Sequence, residues 1–361
     1  MLMLFWGMNI LFLDRFPSIL FDEPLYADTA YFFSQHGTLS NILGGYSGKQ
    51  FFLYPLILSF YIKIFEPTLF NLRLFNLFIG SITLWLFILI THRVIKNRWV
   101  RLCTIACFIS SNILFVLYRI ARPEPLLILF LVISLYFFIK DQEKHMFSKN
   151  IIYGGICLSL AMLCHPMGGI YFGLYCLYAL YVLIKRRINI INPFFISLLP
   201  LSVITVLFFL FWSEKTFLET LQFLISSGRV PSQTSVLGGF FDNLKRFYVG
   251  YSLGLKRFIL VALECAAIGW GMSQWKKKQL ESTLGFIALF SLLLGFIVFQ
   301  PFLRPYYAFF TVLTILLLGL FGDKHYKRNK RFVSFLILYA LYSIIGNAYI
   351  LYKSIHDKPN T

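Results

Sequence analysis

An all-α bundle of membrane-crossing helices is the fold class this sequence predicts, and three observations predict it. Hydrophobic residues make up 58% of the chain and the mean hydropathy is +0.74, with repeated apolar runs long enough to cross a hydrocarbon core of roughly 30 Å. The formal charge of +18 is carried in short basic clusters between those runs rather than along one polar face. That pattern orients a chain in a bilayer and argues against a nucleic-acid partner. Cys103, Cys107, Cys157, Cys164, Cys176 and Cys265 all fall inside apolar runs, where they are expected to pack as small apolar groups rather than build disulfides or zinc sites.

Taken in order, the apolar runs lie near 1–13, 75–91, 102–118, 124–139, 151–164, 168–184, 193–212, 257–274, 280–299, 305–321 and 332–352. This predicts about eleven transmembrane helices in one membrane-embedded domain, 1–361. The pair of runs around His165-Pro166 is also compatible with one kinked helix. The first run lacks a basic start and a small-residue cleavage site, so it reads as a retained helix.

With the N-terminus inside, one set of alternate loops is short and densely basic. It holds Arg93, Lys96, Arg98, Arg101, Lys140, Lys144, Lys149, Lys185, Arg186, Arg187, the run Lys276 to Lys278, Lys324, Lys327, Arg328, Lys330 and Arg331. These loops are expected in the cytoplasm. The opposite set includes two long mixed-charge segments, 14–74 and 213–256, expected outside.

The first of these outer segments is more than a linker. Glu23-Pro24 followed by Leu25, Tyr26, Ala30, Phe33 and a closing Gly37 predicts a short helix lying along the membrane surface. Phe51 to Phe65 is apolar but interrupted by Tyr54-Pro55 and Lys63, which suits an interfacial or re-entrant helix better than a span. Around 213–256, Phe217, Leu221 and Leu224 stand at helical spacing before a turn rich in Gly, Ser and Pro. No internal repeat is visible.

Chemistry points first to Asp22-Glu23, a pair of carboxylates just past the first apolar run in a chain with only 15 acids. Such a pair can supply a general base. It can equally cap the surface helix, where the dipole favours acids, and Glu23 can serve as the ion-pair partner of a nearby cation.

The order of features resembles the GT-C membrane glycosyltransferases related to protein mannosyltransferases and aminoarabinose transferases, best over about residues 10–185. The resemblance rests on Asp22-Glu23 with Tyr26 and Ala30, on Tyr54-Pro55-Leu56, and on Asn71-Leu72-Arg73-Leu74-Phe75-Asn76. It continues with Arg119-Ile120-Ala121-Arg122-Pro123-Glu124, Cys164-His165-Pro166-Met167-Gly168-Gly169 and Arg304-Pro305-Tyr306-Tyr307.

What the resemblance implies is transfer of a monosaccharide from a polyprenyl-phosphate carrier to a glycan, lipid or protein acceptor. The active site would face the outside of the plasma (inner) membrane, among membrane lipids. An acceptor hydroxyl then needs a carboxylate to take its proton while the leaving phosphate needs cations, so Asp22 is the expected base with Glu23 second. Lys49, Arg119, Arg122 and Arg304 are the cations expected near the carrier phosphate, with Glu124 and Tyr307 as their substrate-binding neighbours. Lys49-Gln50-Phe51 stands where the aminoarabinose branch has Lys-Pro-Pro, and Pro305 interrupts the family's Arg-Tyr pair.

The alternative for Arg122 is a structural pairing with Glu124. His165 reads as a packed or helix-terminal residue, and Glu264, inside an apolar run, is expected to meet a polar partner. No metal-ligand cluster is evident, and a metal requirement stays open. No large soluble C-terminal domain is expected beyond the last run, and a Trp-Trp-Asp motif is absent from the sequence; both argue against sequon-reading protein glycosylation. The rival readings are a flippase for lipid-linked sugars, which would want mid-membrane charges and repeated halves, and an oligosaccharide polymerase or ligase. The sugar, acceptor and anomeric outcome are not encoded legibly.

Overall fold

The computed structural model describes residues 1–17, 22–37, 52–141, 149–165, 167–174, 236–249, 258–274, 280–298, 304–326 and 330–356. Every regular element among them is helical. In chain order they are α1 (Leu2–Ile10), α2 (Asp22–His36), α3 (Leu53–Ile62), α4 (Leu69–Val94), α5 (Arg98–Ser110), α6 (Asn112–Leu117), α7 (Glu124–Asp141) and α8 (Lys149–Cys164). Then come α9 (Val236–Val249), α10 (Phe258–Ser273), α11 (Leu280–Val298), a 3-10 turn (Arg304–Tyr307), α12 (Ala308–His325) and α13 (Arg331–His356). Residues 167–174 are also helical.

Four of the described helices are long and apolar enough to cross a membrane: α4, and the stretches Leu280–Ile297, Ala308–His325 and Val333–Tyr352 of α11, α12 and α13. Their exposed side chains include Phe78, Ile82 and Trp85 on α4 and Leu338, Leu341 and Ile345 on α13, while Arg73, Arg119 and Glu264 are buried. Apolar groups outside and charges inside is the arrangement a hydrocarbon solvent selects. The chain is an integral membrane protein.

Two predicted runs take a different form. The first is helical for only nine residues, α1, a rise of about 14 Å, so α1 alone falls short of the hydrocarbon core. The run 102–118 is not one helix: α5 stops at Ser110, Ser111 turns to φ −52° and ψ 123°, and α6 begins at Asn112. The Ser110 carbonyl at the break is satisfied from α13, because the Asn347 side-chain amide donates to it at 2.8 Å, while the Asn112 side-chain amide donates in return to the Ser343 carbonyl and to Asn347 Oδ1. Polar side chains from a neighbouring helix commonly mend such breaks at membrane depth. The run 193–212, the segment 213–235 and the basic clusters 185–187 and 276–278 lie outside the described residues.

The chain gathers into two compact units. The first contains Met1–Ser18, Leu84–Arg119 and Arg229–Thr361. Within it α5 packs on α12 and α13, and α10 on α11 and α12. Gly271 allows α10 to approach α11 closely, since a Cβ there would stand 2.7 Å from the Glu281 carbonyl oxygen. Small residues at a contact let membrane helices meet in this way.

The second unit contains Ile19–Thr83 and Ile120–Gly228. Here α7 packs on α8, α2 on α3, and α3 on α8. Phe52 and Leu163 form a buried pair flanked by Phe33, Leu53, Leu56 and Leu160. Helix α2 ends as its sequence suggests: Gly37 adopts φ 70° and its N–H donates to the Phe33 carbonyl at 2.9 Å, the left-handed cap that glycine accommodates without strain. At the start of α4 the Thr68 hydroxyl accepts the Asn71 N–H at 3.2 Å, a threonine N-cap.

Candidate active site

The paired acids open α2, and consecutive helical residues point about 100° apart. Their carboxylates therefore go to different places. Glu23 turns inward and is 2% exposed. Its Oε1 accepts the Arg73 Nε–H at 3.1 Å and the Ala121 N–H at 2.6 Å, and its Oε2 accepts from Arg73 Nη2 at 2.8 Å. Arg73, on the first turns of α4, is wholly buried, so the pair is a bidentate fork held away from water.

Asp22 keeps a side chain 39% exposed and sits 3.0 Å from Arg122 Nη1 through Oδ2. Arg122 is braced from behind by Glu124 at the first turn of α7, with Nη2 to Oε1 at 2.6 Å and Nε to Oε2 at 3.2 Å. The short turn that carries Arg122 is itself tied down. Asn76, one turn along α4 from Arg73, donates from Nδ2 to the carbonyls of Ile120 and Arg122, the latter at 2.9 Å. Glu23 takes the N–H of Ala121 between them.

The result is a chain of fixed groups: Arg73 holds Glu23, Glu23 and Asn76 hold the turn 120–122, and Arg122 presents Asp22. Three carboxylates meet two guanidiniums, a formal excess of one negative charge among Asp22, Glu23, Glu124, Arg73 and Arg122. Four of these five side chains are buried and only Asp22 reaches solvent.

Two neighbours complete the surroundings. Tyr54 on α3 is fully buried, with its ring edge-on to Tyr26 of α2 at 5.9 Å and tilted against Phe75 at 6.1 Å. Burial, helped by the Glu23 and Glu124 carboxylates, pushes its phenol well above the ordinary value, so the hydroxyl stays protonated. His165, at the junction after α8, accepts the Met167 N–H on Nδ1 at 3.2 Å. Burial first, and then the Arg122 charge, lower its pKa to about 3. It is a neutral helix-terminal histidine.

The remaining site candidates belong to the first unit or lie outside the described residues. Arg119 is fully buried there, with Nε donating to the Phe16 carbonyl at 3.1 Å, Nη1 to Asn9 at 2.6 Å, and Nη2 to Leu11 and Phe12 at 2.6 and 2.9 Å. Its guanidinium also lies against the rings of Phe16 and Phe115. This arginine, expected near a phosphate, is a strut for the turn after α1. Tyr307 is buried with its ring edge-on to Phe296 and its hydroxyl 3.5 Å from the Asn243 carbonyl. Arg304 starts the 3-10 turn, but its side chain lies outside the described residues, as does Lys49.

The ion-pair alternatives for Glu23 and for Arg122 with Glu124 are the arrangements the structure contains. Sequence reasoning gave no role to Arg73 or Asn76. The signal was present, since an arginine and an asparagine at the start of an apolar run are costly without partners. Among the described residues no group of three or more His, Cys, Asp or Glu is placed to hold a metal ion.

Sequence comparison decides the family. The profile of the dolichyl-phosphate-mannose-protein mannosyltransferase family matches residues 2–221, more than half of the chain and all of the Asp22 to Glu124 cluster. The chain belongs to that family. No curated protein matches it in sequence. Among solved structures it is similar to ArnT from Cupriavidus metallidurans bound to undecaprenyl phosphate, at 12% identity and a TM-score of 0.68 over 98% of this chain and 76% of that one. It is also similar to the Archaeoglobus fulgidus oligosaccharyltransferase in the apo form, at 14% identity and a TM-score of 0.59 over 99% of this chain and 57% of the other. For arabinosyltransferase EmbB from Mycobacterium smegmatis the values are 12% and 0.59, over 99% and 37%. These likenesses show a shared GT-C fold. The mannosyltransferase family member described here is a GT-C membrane glycosyltransferase.

Proposed function

We propose that this family member transfers one sugar from a polyprenyl-phosphate carrier to an acceptor hydroxyl or amine at the extracytoplasmic face, with Asp22 as general base. The observation that carries the reading is the division of labour in the acid pair: Glu23 is locked to Arg73 and the 121 backbone N–H, while Asp22 is fixed by Arg122 yet open to solvent. A base must be positioned and reachable, and only one of the two carboxylates is both.

In this mechanism the acceptor oxygen forms a bond to the anomeric carbon as its proton passes to Asp22. The bond from that carbon to the carrier phosphate breaks, and polyprenyl phosphate leaves with the electron pair. Its developing charge calls for cations. Arg122 is engaged by Asp22 and Glu124, so its first task is to hold the base; Lys49 is the residue proposed for the phosphate. ArnT, a structural neighbour, has been solved with undecaprenyl phosphate bound, which supports a carrier of this chemistry. The full topology in this proposal is about eleven crossings in one catalytic domain, with the N-terminus inside.

The test is reconstitution in vesicles with a radiolabelled polyprenyl-phosphate sugar and an envelope fraction as acceptor source. Transfer predicts that label leaves the lipid and polyprenyl phosphate accumulates. Label that crosses the bilayer still attached to its lipid would instead mark a flippase.

A further inference from the structure

The first unit contains a second feature that the transferase reading does not use. At the end of the unit where α5 and α13 begin, a cavity of about 640 Å³ opens between these helices and the turn after α12. Each helix contributes one stripe at spacings i, i+3, i+4 and i+7: Trp99, Leu102, Cys103 and Ala106 from α5, and Lys330, Val333, Ser334 and Ile337 from α13 and the residue before it. Such spacing keeps four side chains on one helix face. Both stripes grade in the same direction, with Trp99 and Lys330 at the mouth and aliphatic groups deeper in the helices.

The mouth has the character of a lipid headgroup region. Trp99 is 62% exposed, as tryptophan is at membrane interfaces. Tyr326 stands beside it, and Lys330 is exposed with no ion-pair partner among the described residues. Asp323, the acid at this end of α5, spends its oxygens on the N–H groups of Lys96 and Asn97 at 3.1 and 2.7 Å. Arg98 and Arg101 lie on α5 next to the stripe, so the local balance of charge is positive.

We propose that this groove binds one anionic phospholipid of the surrounding bilayer, with an acyl chain along the Leu102, Ala106 and Ile337 wall and the headgroup phosphate at Lys330. The length of the stripes fits a chain lying along the helices. Lys330, at the start of the α13 stripe, sets the end at which the headgroup sits. A juxtamembrane lysine attracts anionic lipid by about fivefold, enough to separate phosphatidylglycerol from phosphatidylcholine in a titration.

The experiment uses the purified full chain in mixed micelles with dibrominated phosphatidylglycerol or dibrominated phosphatidylcholine. The Trp99 signal is taken as the difference between the parent and Trp99→Phe. The expected result is half-maximal quenching of Trp99 at roughly a fivefold lower mole fraction of the anionic lipid. Lys330→Gln should reduce that preference below twofold, and Ala106→Leu should weaken quenching by both lipids while thermal stability is kept. Equal quenching of the parent by the two lipids overturns the proposal, as does a preference unchanged in Lys330→Gln. So does displacement of the phosphatidylglycerol by an equimolar amount of undecaprenyl phosphate, which would make the groove a carrier site.

Discussion

Replacing Glu23 by Gln tests the buried strut beneath the site. The amide keeps the size of the carboxylate and can still accept one N–H. It also turns an NH₂ toward Arg73 Nη2, now 2.8 Å from a carboxylate oxygen, and removes the Glu23 charge from a guanidinium with no solvent access. Breaking a buried pair from one side typically costs about 3–5 kcal/mol. Removing both charges together, as Glu23→Gln with Arg73→Met, takes the buried cation away with its carboxylate and should recover most of that loss. Thermal unfolding in nanodiscs, followed by loss of the monodisperse peak on size exclusion, gives the ranking. The single variant should unfold well below the parent and the double variant should lie between them. A Glu23→Gln protein as stable as the parent, or a double variant worse than the sum of both singles, would refute the strut.

Asn76→Ala removes the donor to the Ile120 and Arg122 carbonyls; each buried carbonyl left unpaired costs about 1–3 kcal/mol, so both stability and turnover should fall. Arg119→Lys loses the planar fork that reaches the carbonyls of Asn9, Leu11, Phe12 and Phe16, and hydrogen exchange over residues 9–17 should rise. His165 is held neutral with its pKa lowered to about 3, so the unfolded chain binds the extra proton as pH falls below about 6.5. Stability should therefore decrease from pH 6.5 toward 3, by at most about 1.4 kcal/mol per unit, and His165→Asn should flatten that slope in a pH series of melting curves. Cysteines at Lys49 and Lys277 report the proposed topology, with the first labelled from outside intact cells and the second protected.

Much of the local structure could be read from residues alone, because local structure has local causes. The α2 helix, expected from Glu23-Pro24 to Gly37, runs Asp22–His36 and is closed by Gly37. The interrupted run 51–65 becomes the ten-residue α3. What stayed hidden depends on pairings over long separations. Nothing in the sequence says that Glu23 meets Arg73, 50 positions away, or that Asn76 reaches the turn at 120–122. For the same reason the ranking of Asp22 first and Glu23 second as base carried no knowledge of their surroundings, although a 100° step sends one to solvent and the other inside. Arg119 and Arg122 were both expected near the carrier phosphate, yet one braces the turn after α1 and the other faces two carboxylates. The break at Ser111 had a visible trace in Ser110-Ser111-Asn112, three polar residues inside an apolar run, but the group that satisfies it is Asn347, far along the chain on α13.

The central claim is that Asp22 takes the acceptor proton, and single-turnover transfer by Asp22→Asn tests it most directly. Asparagine keeps the side-chain oxygen near Arg122, and Glu124 still pairs with that guanidinium, so donor affinity and thermal stability should stay close to those of the parent. Loss of a positioned base should then lower the transfer rate by on the order of 10² to 10⁴ with donor bound. A rate within threefold of the parent, at equal donor occupancy, would show that Asp22 is a helix-opening residue and that the proton leaves by another route.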